Sequence, residues 1–169
     1  MNTLEAVYSR RSIRKYRDRP VPAEMIEEML RAAMFAPSAR NFRSWQFIVV
    51  DERKKLDDLS EIHPYAKMLK QASLALLVCG DISIEPEDGY NAINCSAATQ
   101  NILLAAHELG LGTCWLGLFP RKPRMDDVSK YFNLPEHIMP VNLIAVGWPA
   151  EQKSRPDRFE KEKIHLNEW

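Results

Sequence analysis

The chain has 169 residues and carries 23 basic and 23 acidic side chains, so its formal net charge at pH 7 is zero. Its 46% hydrophobic and 27% charged residues are typical of a soluble globular protein and argue against a disordered or fibrous one. The length suits a single domain spanning residues 1–169, and the zero net charge excludes a polyanion-binding function for the protein as a whole. Because no apolar run approaches the roughly 20 residues of a membrane span, we expect a cytoplasmic protein with no membrane partner.

The first predicted element is a short helix with Thr3 as its N-cap, and it leads into a strongly basic segment. The stretch YSRRSIRKYRDR, residues 8–19, contains six of the 23 basic side chains. Such a cluster fits a solvated surface, a phosphate site or a nucleic-acid site. Ser12 adds a hydroxyl between arginines, whose guanidinium groups bind phosphate through charge-assisted hydrogen bonds. The slight acidic excess elsewhere disfavours nucleic acid, which we do not expect as a partner.

The second helix is predicted to begin near Pro22 and to end before Pro37, because apolar residues recur at three- and four-residue spacing between them. An unusual segment, APSARNFRSWQF, covers residues 36–47. It combines polar and aromatic side chains that a planar polar heterocycle could use, namely Ser38, Asn41, Gln46, Phe42 and Trp45. Taken alone, the segment fits an ordinary helix-to-strand loop better.

The rest of the chain alternates short apolar strands with helices. Strands are predicted at Trp45–Val50, Ser73–Cys79, Thr113–Leu118 and Val141–Val146, and helices at residues 52–62, Tyr90–Leu109 and residues 124–132. About four strands interleaved with helices predict an α+β or three-layer domain. Residues 150–169 form a polar C-terminal extension that cannot hold itself in place, so a partner subunit is one surface on which it could lie.

The residues that usually carry chemistry are absent or badly spaced. Cys79, Cys95 and Cys114 are too far apart for a metal or redox pair, and the four histidines never approach metal-ligand spacing. The stretch GLGTCWLG, Gly110–Gly117, follows a helix and enters a strand, which is the reverse of the Rossmann order. No metal and no catalytic side chain is expected, so an enzyme of this sequence would rely on a cofactor.

Four segments in this order together resemble the FMN-dependent nitroreductase family. They are RRSIRKY with the following PVP (Arg10–Tyr16 and Pro20–Pro22), APSARNFRSWQFIVV (Ala36–Val50), AATQNILLAAHELGLGTCWLG (Ala97–Gly117), and the GWPAE turn with the tail that ends RFEKEKIHLNEW. The resemblance implies a three-layer α/β/α sandwich around a mixed, mainly antiparallel sheet. It also implies an obligate homodimer whose C-terminal tails wrap the partner, with one FMN per subunit in each of two interface clefts.

The resemblance also implies which residues contact FMN. Arg10 and Ser12 would face the phosphate, with Arg11 beside them, and Arg14 would lie near the pyrimidine edge of the flavin. Three residues would approach the flavin from the other subunit: Pro37, Ser38 and Asn41. Backbone N–H groups of Leu116 and Gly117 would lie beside the reactive N5, and Arg158 would return to the phosphate, with Arg155 as the competing candidate.

The activity implied by the resemblance is hydride transfer from NADH or NADPH through FMN to a small electron-poor acceptor, such as a nitroaromatic or a quinone, by a ping-pong mechanism. Alternatives are a specialised family chemistry (reductive dehalogenation or flavin fragmentation) and a non-catalytic FMN-binding or electron-carrier protein. Arg43 and Ser44 precede Trp45 where the family often has Gln and Pro, so no glutamine contact carries over. Residues His63–Lys70 would lie near the cofactor cleft.

Overall fold

A computed structural model describes residues 2–169, in which five α-helices and five β-strands alternate along the chain. The helices are α1 (Thr3–Ser9), α2 (Ala23–Met34), α3 (Arg53–Ile62), α4 (Asp88–Glu108) and α5 (Lys122–Phe132). The strands are β1 (Tyr16–Arg17), β2 (Trp45–Val50), β3 (Leu74–Asp81), β4 (Gly112–Gly117) and β5 (Ile138–Pro149). Short 3₁₀ turns lie at Ala39–Asn41, Lys67–Lys70 and Lys161–Lys163.

The sheet is organised around β5, which pairs with β1, β3 and β4, while β2 pairs with the far side of β3. All of these pairings are antiparallel. Within residues 2–169, the parallel component is an isolated bridge between Ser12 and Thr113. β5 is therefore the strand that joins the basic N-terminal segment, through β1, to the strand that ends at Gly117.

Both faces of the sheet are covered by helices. β3 is buried along its whole length, and its alternate side chains enter two different clusters. Leu77 packs with residues of α3 and α5, whereas Leu76 packs with residues of α2 and α4. Since each such fully buried leucine contributes about 1.5–3 kcal/mol, the two helix layers are held by an apolar strand in the middle. The predicted three-layer α/β/α arrangement is confirmed.

Some helix and strand boundaries differ from those that the sequence predicted. The prediction of Thr3 as the first N-cap was wrong, because Asn2 is the extended residue whose Oδ1 accepts a hydrogen bond from the Glu5 N–H at 2.8 Å. β1 was not predicted, since two residues are too short for any periodic signal. Gly110, at φ +78°, follows α4 and permits the left-handed turn into β4.

The C-terminal extension crosses the outside of its own subunit. Residues 152–169 are exposed, including the apolar side chains of Ile164, Leu166 and Trp169. Wrapping of a partner subunit therefore stays a prediction. Among residues 2–169, no helix is both long enough and apolar enough to cross a lipid bilayer.

Candidate active site

The basic segment is held by α1 at its start and by β4 and β5 further along. Arg10 caps α1, with its N–H donating to the Ala6 carbonyl at 3.0 Å. The Ile13 N–H then donates to the Thr113 carbonyl of β4 at 2.8 Å, and Tyr16 pairs with Pro149 of β5. Ile13 and Tyr16 are buried, so the segment is anchored by its apolar side chains while its arginines lie on the outer side.

Four arginines line one cavity of about 780 Å³ between α1 and the C-terminal extension. The lining residues are Val7, Tyr8, Arg10, Arg11, Arg155, Pro156, Asp157, Arg158 and Phe159. The one carboxylate among them, Asp157, accepts a hydrogen bond from the Phe159 N–H at 3.0 Å. Four guanidinium groups against one carboxylate make this cavity suitable for an anion that accepts several hydrogen bonds, such as a phosphate.

The surroundings of Arg10 disfavour its positive charge. Burial lowers the pKa of its guanidinium, and the nearby positive charges of Arg11 and Arg158 lower that pKa further. Arginine stays protonated despite such shifts, so the cavity contains a half-buried cation repelled by its neighbours. An anion bound beside Arg10 would remove that repulsion.

Arg11 has a different set of contacts. Its Nε donates to the Ser154 carbonyl at 3.0 Å, and its Nη1 donates to the carbonyls of Tyr8 at 2.9 Å and Arg10 at 2.7 Å. These bonds tie the end of α1 to the beginning of the extension. We therefore infer that Arg11 shapes the cavity, and direct contact of Arg11 with a cofactor stays a prediction.

The two tail arginines differ in the same way. Arg155 forms an ion pair with Glu5, Nη1 to Oε1, at 2.8 Å. Arg158 has no carboxylate within ion-pair distance among residues 2–169, and its charge acts on Arg10. Both line the cavity, but the uncompensated charge of Arg158 makes it the better candidate for a phosphate contact.

A second cavity, of about 250 Å³, lies where β4 ends. Its lining contains Arg14, Leu116 and Gly117 of the predicted site together with His63, Tyr65, Cys114, Trp115, Phe119, Pro120, Arg121 and Arg124. The Arg14 N–H donates to Glu151 Oε1 at 2.6 Å, which fixes the backbone from which its guanidinium extends. The burial that raises the pKa of the Cys114 thiol is partly opposed by the positive charge of Arg14.

His63 holds the carbonyl of Gly117. A carbonyl only accepts, so His63 Nε2 carries the proton and donates to Gly117 O at 3.0 Å, while His63 Nδ1 accepts from the Tyr65 N–H at 3.2 Å. Burial, with a smaller effect from Arg124, lowers the pKa of His63, which agrees with this neutral form. The end of β4 is thus fixed by a histidine 54 residues away.

Pro37, Ser38 and Asn41 lie apart from both cavities and line neither of them. The loop that contains them is shaped locally: Ser38 Oγ accepts from the Arg43 N–H at 2.9 Å, and Asn41 has a left-handed φ of +56°. The single chain therefore does not bring these three residues to Arg10 and Arg14. Their contact with a cofactor from a second subunit stays a prediction.

Sequence reasoning missed part of the second cavity. The segment His63–Lys70 was expected near the cleft, and His63 and Tyr65 do line it, but Arg121 and Arg124 were not considered. They begin α5, and a first-turn arginine gives no pattern by which to distinguish it from surface charge. Within residues 2–169, no three or more potential metal-ligand side chains come together.

The fold is thus an α/β/α domain in which four arginines line a cavity between α1 and the C-terminal extension. Residues 7–74 and 63–148 match the model of the Nitroreductase family. The chain belongs to this family, and the resemblance drawn from its sequence is confirmed.

The names of individual relatives are consistent with membership of this family. A protein of Methanothermobacter thermautotrophicus, provisionally named NADH dehydrogenase/NAD(P)H nitroreductase, is 48% identical over 169 residues, which cover 100% of this chain and 88% of the relative. The solved structure of an FMN-dependent nitroreductase from Clostridium difficile is 32% identical, with a TM-score of 0.91 and coverage of 99% and 100%. A provisionally named nitroreductase of Desulfovibrio desulfuricans, solved in complex with FMN, is 30% identical, with a TM-score of 0.85 and coverage of 100% and 99%.

Proposed function

We propose that this protein is an FMN-dependent oxidoreductase that takes hydride from NADH or NADPH and passes it to a small electron-poor acceptor, such as a nitroaromatic or a quinone. The names of its relatives support both the flavin and the nicotinamide. The observation in this chain that carries the proposal is the half-buried Arg10, repelled by Arg11 and Arg158 in a cavity that an anion would neutralise.

The residues present fit the phosphate end of FMN. Arg10 and Arg158 supply charged donors without a carboxylate partner among residues 2–169. Ser12, which bridges to Thr113 of β4, does not line this cavity, so its contact with the phosphate stays a prediction. Hydrogen bonds to charged groups contribute about 1.5–3 kcal/mol each, so this cavity would supply much of the binding free energy.

The residues also fit the ring end. Arg14 provides a positive charge beside the end of β4, where the backbone of Leu116 and Gly117 lines the second cavity. A second subunit would contribute Pro37, Ser38 and Asn41, which requires a homodimer. The single domain of residues 1–169 would then act in pairs, with the extension from residue 150 to 169 packed on the partner.

The chemistry that bound FMN supplies is hydride exchange with two substrates in turn, which is a ping-pong sequence. The chain contributes binding and electrostatics. Arg14 would place a positive charge where a reduced ring carries negative charge, and such a charge stabilises the reduced form of the ring. His63 bonds to the Gly117 carbonyl and would help to hold the backbone at the end of β4 where the ring would bind.

Purified protein tests the proposal directly. The protein should be yellow, and added FMN should raise its Tm. Riboflavin is the matched control, because it carries the same ring without the phosphate and should raise Tm much less. NADH or NADPH should bleach the bound flavin, and a nitroaromatic or quinone should restore the colour. A colourless protein that FMN does not stabilise would contradict the proposal.

A further inference from the structure

The lining of the second cavity is strongly positive. Arg14, Arg121 and Arg124 all line it, and its lining includes no Asp or Glu. Three aromatic side chains, Tyr65, Trp115 and Phe119, share the cavity with them. Flat apolar walls beside guanidinium groups suit a small planar ligand that carries an anionic group.

Arg124 is held in position. Its Nη1 donates to the Gly117 carbonyl at 3.4 Å, and its guanidinium carbon lies 5.4 Å from the centre of the Tyr65 ring. One long hydrogen bond engages one of five N–H donors. Arg124 is therefore oriented by Gly117 and Tyr65 while its guanidinium retains donors for a ligand.

Neither Arg121 nor Arg124 is neutralised by the protein itself. Among residues 2–169, no carboxylate lies within ion-pair distance of either guanidinium, whereas Lys122, between them, pairs with Asp126 at 3.2 Å. Glu151, the acid that bonds to the Arg14 backbone, pairs with Lys153 at 2.6 Å. His63 in the neutral form described above adds no charge and offers no anion.

We propose that Arg121 and Arg124, with the Tyr65 ring, form a subsite for the carboxylate or phosphate of a substrate that docks beside Gly117, so that the enzyme prefers anionic substrates to neutral ones of the same shape. This inference rests on the proposed function, because it concerns the substrate side of the same site. The small size of the cavity, about 250 Å³, favours the carboxylate of a small aromatic acceptor. The phosphate of NADPH that NADH lacks is the other source of the same chemistry.

The test compares two acceptors of the same shape, 4-nitrobenzoate and 4-nitrobenzamide, on the FMN-loaded enzyme. Wild type should show a higher kcat/KM for the acid. Arg124→Gln should lower kcat/KM for the acid about 10-fold or more and change that for the amide less than twofold, because a charge-assisted hydrogen bond is lost only with the acid. Arg121→Gln should act in the same direction. Lys122→Gln removes one positive charge from the same turn outside the cavity, and it should leave the acid-to-amide ratio unchanged.

The nicotinamide arm identifies the source of the anion. A 10-fold fall in the NADPH-to-NADH ratio of kcat/KM in Arg124→Gln, with an unchanged acid-to-amide ratio, would assign the subsite to the donor phosphate and would still support it. If neither ratio changes by more than twofold in Arg121→Gln or Arg124→Gln, the subsite does not exist.

A binding measurement separates this inference from the proposed function. Benzoate and benzamide cannot be reduced, so their affinities can be measured by calorimetry whether or not turnover occurs. Benzoate should bind wild type more tightly than benzamide does, and Arg124→Gln should remove about 10-fold of that difference. Equal affinities in wild type, together with an unchanged NADPH-to-NADH ratio in Arg124→Gln, would refute the subsite. Loss of flavin reduction by NADH and NADPH with benzoate binding retained would refute the proposed function alone.

Discussion

Arg10 and Arg11 are adjacent in sequence, but their contacts predict opposite consequences of removing their charges. The comparison uses Arg10→Met and Arg11→Met, which keep an apolar stem of similar length. Burial of the Arg10 guanidinium and repulsion by Arg11 and Arg158 both disfavour its positive charge, so that charge is unfavourable until an anion binds. Arg10→Met should therefore weaken FMN binding by about 1.5–3 kcal/mol, roughly 10- to 150-fold in Kd, without lowering the stability of the cofactor-free protein.

Arg11→Met should act mainly on stability. The variant loses three hydrogen bonds to the carbonyls of Tyr8, Arg10 and Ser154. At about 0.5 kcal/mol for each such exposed bond, the free energy of unfolding should fall by ~1.5 kcal/mol. In a domain of this size that corresponds to a fall in Tm of about 3–6 °C. FMN affinity should fall less than in Arg10→Met.

The assay is a titration of flavin-stripped protein with FMN and with riboflavin, together with thermal unfolding of the stripped protein. Riboflavin is the internal control, because Arg10→Met should not alter its binding if Arg10 contacts the phosphate. FMN affinity within threefold of wild type in Arg10→Met would refute the assignment of the cavity. An unchanged Tm in Arg11→Met would refute the role given to its bonds with the C-terminal extension.

Three further perturbations test the parts of the fold that hold the site residues in position. Gly112→Ala would place a Cβ 2.8 Å from the Ile13 side chain and displace the basic segment from β4, so both Tm and FMN affinity should fall. Gly89→Ala is the control: its added Cβ would meet no atom within 4 Å, so neither Tm nor FMN affinity should fall. Burial lowers the pKa of His63 in the folded protein, so between that pKa and about 6.5 the unfolded chain binds more protons than the folded one. The free energy of unfolding should therefore fall as the pH drops through this window. Chemical denaturation should show a smaller fall in His63→Gln than in wild type. Deleting residues 154–169 should weaken FMN binding and shift the protein towards monomer in light scattering; a yellow dimer after deletion would contradict the role of the extension.

Most of the fold follows from local apolar patterns. The strand Trp45–Val50 was predicted to the residue, and the predicted strand Ser73–Cys79 supplies the first six residues of β3, from Leu74 to Cys79. The ends of β5 were not predictable, because Ile138 and Pro149 lie outside its apolar run and are ordered by pairing with β3 and β1. β1 likewise exists only because β5 supplies its partner.

The site was predictable where its residues are close in sequence, and not where the fold assembles it. Arg10, Arg11 and Ser12 are conspicuous as a cluster, but their different roles depend on contacts with the tail more than 140 residues away. Arg124 becomes a site candidate only because the turn after β4 returns it to Gly117 and Tyr65. Pro37, Ser38 and Asn41 line neither cavity of this chain, so their contact with a cofactor from a second subunit stays a prediction.

The two cavities differ in what holds them, and this difference bears on specificity. The phosphate-binding candidate lies between a seven-residue helix and an exposed extension, so hydrogen bonds of Arg11 and the Arg155–Glu5 pair must organise it. The second cavity begins at the end of β4, which is fixed by pairing with β5 and by the His63 bond to Gly117. Its charged wall, by contrast, comes from the first turn of α5. Substitutions at Arg121 and Arg124 should therefore change which substrates are accepted more than they disturb β4, because they leave its pairing with β5 intact.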